Sequence, residues 1–207
     1  MYRLLLLVLF PILSLAQSSV QGKITDKENN PIANVKITIS ELMLPSHTNF
    51  GGKIHGGYIL SLLDQIAFAS ASRYSGNYCV TASVDTVNFL KPIEVGELVT
   101  MKASVNYVGK SAMVIGIRVE AENIQTGTIK HCNSSYFTMV AKDELGNSML
   151  VPGLILSNKN EVRRFYNCIK QIELKKEKEL HEEKFDYNSV ATLENLKKYN
   201  VKLEIQD

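Results

Sequence analysis

Between Lys53 and Arg73 the only formally charged residue is Asp64. Its neighbours three and four positions away are Leu60, Ser61, Ala67 and Phe68. On a helix these share its face, so the carboxylate stands in an apolar setting. Isolated charge there is costly unless the group has partners or a task. The task for which a carboxylate suits is proton abstraction or nucleophilic attack. The plainer alternative is an aspartate held by local hydroxyls.

Gly56 and Gly57 stand where a glycine-rich loop, SHTNFGGKIHGG, runs into that segment. The first N–H groups of a helix have no internal partner, and the helix dipole adds partial positive charge. The Gly57 N–H is thus a candidate to hold a carbonyl oxygen that becomes an oxyanion. Gly57 and Asp64 are seven residues apart, about two turns and roughly 10 Å. That separation predicts a site shared between two protomers. Asn49, in the same loop, offers a side-chain amide that can donate to a carbonyl or hold a water. His47 and His55 flank it and are general-base candidates by residue type. The loop is not a phosphate-binding P-loop, since no Gly-Lys-Ser/Thr ends it.

Other chemistry finds little support. Cys79, Cys132 and Cys168 are widely spaced, with no CxxC or His/Cys cluster, so no metal is expected. Cys79 reads as a buried thiol rather than a nucleophile. The net charge of +2 comes from Lys and Arg that are dispersed or mixed with Glu. A nucleic-acid surface would gather them on one face with stacking aromatics.

The elements that must position these residues follow from hydrophobic spacing. Tyr58 to Tyr74 reads as a helix apolar nearly all round, hence buried. Ile37 to Leu44 precedes it as a strand, and four strand-like segments follow. Leu98 to Tyr107 alternates, with Val99, Met101, Ala103, Val105 and Tyr107 on one face. Met113, Ile115, Ile117 and Val119 repeat the pattern, as do Phe137, Met139 and Ala141 within Tyr136 to Ala141. Thr81 to Leu90 shifts phase partway, which predicts a bulge near Asp85 and Thr86. One buried helix wrapped by an antiparallel sheet is an α+β arrangement of the hotdog type, expected over residues 37–153.

The two ends differ from this middle. Residues 1–16 resemble a secretory signal: Arg3, an apolar run from Leu4 to Leu15, then Ser14-Leu15-Ala16. The run is too short for a stable membrane span. Residues 17–36 resemble the first strands of a carboxypeptidase-regulatory-like β-sandwich, a module of exported proteins in Bacteroidetes-type bacteria. They read as a fragment or linker. Residues 154–207 read as a helical tail, with Val162, Phe165, Ile169 and Ile172 at helical spacing before a mixed-charge run.

Three segments in order, LMLPSHTNFGGKIHGGYILSLLDQIA, VTASVDTVNFLKPIEVGELV and YVGKSAMVIGIRVEAEN, resemble the acyl-CoA hydrolase branch of the hotdog superfamily. That branch holds bacterial broad-specificity thioesterases and the mammalian cytosolic brain-type enzyme. The resemblance implies hydrolysis of acyl-CoA, with a phenylacetate-type aryl-CoA thioesterase and a non-catalytic acyl-CoA-binding module as alternatives. It implies catalytic roles for Asp64, Asn49 and Gly57, with Asn49 and Asp64 coming from opposite units of a homodimer. It assigns Gly109, Lys110 and Ser111 to coenzyme A, and Gly56 and His55 join them as substrate-binding candidates. No cofactor is implied, coenzyme A being part of the substrate. Dimers are expected to assemble in threes as hexamers. His47 stands where the family commonly has aspartate. Such a substrate implies the cytoplasm, whereas residues 1–16 suggest export.

Overall fold

The computed structural model describes residues 32–33, 35–182, 189–196 and 198–201. The signal-like segment and most of residues 17–36 lie outside the described residues. The chain divides into two compact units, Met1–Val162 and Arg163–Asp207.

In the first unit, strand β1 (Ile32–Ala33) pairs in parallel with β7 (Leu154–Ile155). The main sheet is antiparallel, with five strands in the order β2-β4-β5-β6-β3. They are β2 (Lys36–Leu42), β3 (Tyr78–Val84), β4 (Glu97–Val108), β5 (Ala112–Asn123) and β6 (Thr128–Lys142). Helix α1 (Gly56–Ser75) lies on its inner face. This is the hotdog arrangement expected from the spacing.

The alternating residues make that inner face. Val99, Met101, Val105, Ile115, Val119 and Met139 are at 0 % exposure, and so are Leu63, Ile66 and Tyr74 on the helix. Burying each such side chain stabilises the fold by roughly 1.5–3 kcal/mol. The Tyr74 hydroxyl donates to the carbonyls of Pro152 and Gly153 at 3.1 and 2.9 Å, fastening the chain beyond β6 to the helix. Burial pushes its phenol up to about 12. Turns fall at Gly96, Gly127 and Gly146, which have positive φ.

Four expectations need correction. The bulge in β3 lies between Thr81 and Ser83, and the strand stops at Val84, so residues 85–90 are loop. The β4 register shifts between Val105 and Tyr107, which takes Tyr107 out of the alternation. β6 starts eight residues before Tyr136, because its first half carries polar residues on a sheet interior, Asn133 and Ser135 being fully buried. The helix is not buried all round: Gly57, Ser61, Asp64, Gln65 and Phe68 form an exposed stripe in the protomer.

Helix α2 (Lys159–Glu182) starts at the end of the first unit and runs into the second. Val162 is 51 % exposed, so Phe165, Cys168, Ile169 and Ile172 form its better-covered side. Helix α3 (Val190–Leu196) follows in the second unit. No helix among the described residues is long and apolar enough to cross a membrane.

Candidate functional site

Asp64 sits midway along α1 on the exposed stripe. Its Oδ1 accepts a hydrogen bond from Thr81 Oγ1 at 2.5 Å. Thr81 is on β3, the strand that turns back alongside the helix, and pairs with Met139 of β6. The same hydroxyl is 3.4 Å from Met139 Sδ. The carboxylate is therefore oriented by one hydroxyl and otherwise open on the protomer surface. The expectation of an Asp64 shielded by its own helix face does not hold in the single protomer. Thr81 escaped the sequence reading, although its alternation with buried Cys79 was a signal that it faces the helix.

Asn49 opens the turn of a tight hairpin, its N–H donating to Lys53 O at 2.8 Å and its carbonyl accepting from Gly52 N–H at 3.0 Å. The hairpin base is closed by the Thr48–Ile54 bridge and by His55 N–H donating to His47 O at 2.8 Å. Asn49 Oδ1 accepts from the N–H groups of Gly51 and Lys53 at 2.8 and 3.3 Å. With the oxygen so used, the amide Nδ2 is the side chain's donor to a ligand. A Lys53–Glu94 ion pair at 2.7 Å braces the tip.

His55 is the N-cap of α1. Its Nδ1 accepts from Gly57 N–H at 2.9 Å. That N–H, expected to be free for an oxyanion, already has a partner in the structure. Ser, Thr, Asn and Asp are the usual caps, which is why a histidine in this role went unread. Gly56 lies against Phe89: a Cβ there would stand 3.3 Å from the ring.

Gly109, Lys110 and Ser111 form the turn from β4 to β5. Gly109 N–H donates to Ala112 O at 2.7 Å. Lys110 O and Ser111 O accept from Val151 and Ala141. Ala112 is level with Val140, which is level with Val80 at the start of β3. The turn therefore lies toward the C-terminal end of α1, whereas Gly57 is in its first turn. A 20-residue helix is about 30 Å long. One protomer does not gather all the predicted residues: Asp64 with Thr81 forms one group, the Asn49 hairpin with His55 and Gly57 a second, the 109–111 turn a third.

The three cysteines are free and buried, and burial pushes the Cys132 thiol up. Among the described residues, no three His, Cys, Asp or Glu side chains gather as a metal site.

Comparison with known proteins agrees with this fold. The Thioesterase superfamily profile matches residues 51–128. Protein VdlD of Helicobacter pylori is 41% identical over 140 residues, covering 68% of this chain and 80% of that protein. An apo-hexameric acyl-CoA thioesterase superposes with a TM-score of 0.67 at 31% identity, over 69% of this chain and 92% of that one. The Staphylococcus aureus acyl-CoA hydrolase, solved with butyryl coenzyme A, coenzyme A and coenzyme A disulfide, gives 0.66 at 28% identity, over 78% and 94%. Fold, ordered motifs and relatives coincide, and the chain belongs to the thioesterase superfamily of hotdog proteins, among the acyl-CoA thioester hydrolases.

Proposed function

We propose that this protein hydrolyses acyl-CoA thioesters to a free carboxylic acid and coenzyme A, with Asp64 as the reacting carboxylate. The observation that carries this is the Asp64–Thr81 pair, presented in the middle of an exposed helix stripe. Asp64 either takes a proton from the attacking water or attacks the carbonyl itself to give an anhydride. On both routes the C–S bond breaks and coenzyme A leaves as a thiolate that takes up a proton from the water consumed; on the second route that water then hydrolyses the anhydride, releasing the acid and freeing the Asp64 carboxylate.

Asn49 of a second protomer donates its amide to the thioester carbonyl or to the water. Gly57 N–H serves the oxyanion when the His55 imidazole gives way to the substrate oxygen. The 109–111 turn holds coenzyme A, with the Lys110 side chain exposed for a phosphate. The separation of the three groups within one protomer supports a site assembled from two. The working unit is then a homodimer, and three such dimers form a hexamer; the acyl-CoA thioesterase neighbour is itself hexameric. We place this chemistry in the cytoplasm, where acyl-CoA is made. N-terminal sequencing of the native protein tests that, and a mature periplasmic chain starting at Gln17 would overturn it.

The central test is Asp64→Asn with a panel of acyl-CoA substrates and thiol detection. Turnover should fall by on the order of 10²-fold or more. An unchanged rate in a folded, correctly assembled variant removes Asp64 from the reaction.

A further inference from the structure

Asn49 opens the turn that ends a hairpin, two residues beyond His47 at its base. The base is His47 paired with His55. There the His47 ring lies flat on the Tyr58 ring, with centroids 3.9 Å apart and planes 22° from parallel. Tyr58 follows Gly57 in the first turn of α1. Its hydroxyl donates to Glu41 Oε1, near the end of β2. His47 Nδ1 accepts from Leu44 N–H at 3.3 Å, and His47 N–H donates to Leu44 O at 3.0 Å. Strand, hairpin and helix thus meet at one stacked pair. Burial first, then the Glu41 hydrogen bond and charge, push the Tyr58 phenol up to about 12, so it remains a donor at neutral pH.

We propose that His47, Tyr58 and Glu41 form a positioning unit that fixes Asn49 relative to the start of α1 during thioester hydrolysis. This rests on the reading of Asn49 given above. Two residues span roughly 7 Å, so a tilt of about 10° at His47 moves Asn49 by roughly 1 Å. A displacement of that size costs up to about 10²-fold in rate. The stacked rings resist that tilt, and the Glu41 bond keeps the Tyr58 ring from turning away. The unit is particular to a chain with His at 47 and Tyr at 58.

The test uses the full chain and five variants: His47→Ala, His47→Phe, Tyr58→Phe, Asn49→Ala and the double variant His47→Ala/Asn49→Ala. Acyl-CoA turnover is followed by thiol release, with thermal midpoint and assembly size measured alongside. His47→Ala should lower kcat about tenfold to a hundredfold. KM should stay within about twofold, because the 109–111 turn is untouched. His47→Phe keeps a flat ring and should recover most of the loss. Tyr58→Phe keeps the stack without the Glu41 anchor and should fall between. In the Asn49→Ala background, His47→Ala should cost nothing further.

A His47→Ala kcat within about twofold of the parent, beside a crippled Asn49→Ala, overturns the proposal. So do losses that multiply in the double variant. Should His47→Ala not assemble, a parental kcat for Tyr58→Phe overturns it. If Asn49→Ala is itself at the parent rate, the reading of Asn49 has failed, and the positioning role fails with it.

Discussion

Thr81→Val removes the hydroxyl that holds Asp64 and leaves the carboxylate in place. The side chains are close in size, and valine suits a strand. The bond is direct, Thr81 Oγ1 to Asp64 Oδ1 at 2.5 Å. Hydrogen bonds to charged groups contribute about 1.5–3 kcal/mol. Both residues are exposed in the protomer, and solvent there favours the lower end. About 1.5 kcal/mol corresponds to roughly a tenfold loss in kcat, and the upper end to roughly 150-fold. KM should change little, because Thr81 faces the carboxylate and not the 109–111 turn. Thr81→Ser keeps the donor and should recover most of the rate. Thiol release from a saturating acyl-CoA reads kcat directly, and denaturant midpoints check that the fold is intact. A Thr81→Val enzyme at the parent rate, or a Thr81→Ser enzyme as slow as the valine variant, would refute an orienting hydroxyl.

Two further predictions probe the frame around the site. Gly116→Ala would put a Cβ 1.9 Å from Asn106 Nδ2, in a spot where Asn106 is 5 % exposed and bonded to Ser104 at 2.9 Å. A loss of about 1–3 kcal/mol in urea unfolding is expected, partly relieved by adding Asn106→Ala; a neutral Gly116→Ala would contradict the packing. Glu161 accepts from Ser157 N–H at 2.8 Å, and that bond, with help from Asn158 and Lys36 and against burial, holds its carboxyl below the ordinary 4.5. A folded-state value below the unfolded one contributes stability that is full above pH 4.5 and lost as pH falls through the depressed value. Glu161→Gln should flatten the stability profile in that acid window, measured by denaturant midpoints against pH, and an unaltered slope would sink the assignment.

The helix and the inner sheet face were legible in the sequence because burial imposes periods of 3.6 and 2. Met101, Ile115 and Phe137 were placed correctly on that ground alone. The bulge was foreseen but put three or four residues late. A phase change in sequence marks that a residue is extra, not which residue the partner strand skips. The start of β6 was missed because Asn133 and Ser135 are buried through hydrogen bonds, to Asn88 O and to each other, which apolar spacing does not register. At the site, Asp64 was found through its isolation among apolar residues, but its exposure was not. An all-apolar helix reads the same whether one sheet or a second protomer covers it. The partners Thr81 and Glu41 were invisible because each is brought to α1 from a strand distant in sequence.

The exposed stripe of α1 also bears on when the chain becomes active. Under the proposed two-protomer site, a newly made chain folds with its reactive carboxylate in water and without the partner's asparagine. Its hydrolytic power then arises from the meeting of two copies. At high dilution the rate per volume should rise with the square of chain concentration, and levelling to first order would mark the dissociation constant of the pair. Synthesis of a thioester-cleaving enzyme and the onset of cleavage are in this way separate events, with abundance as the link between them.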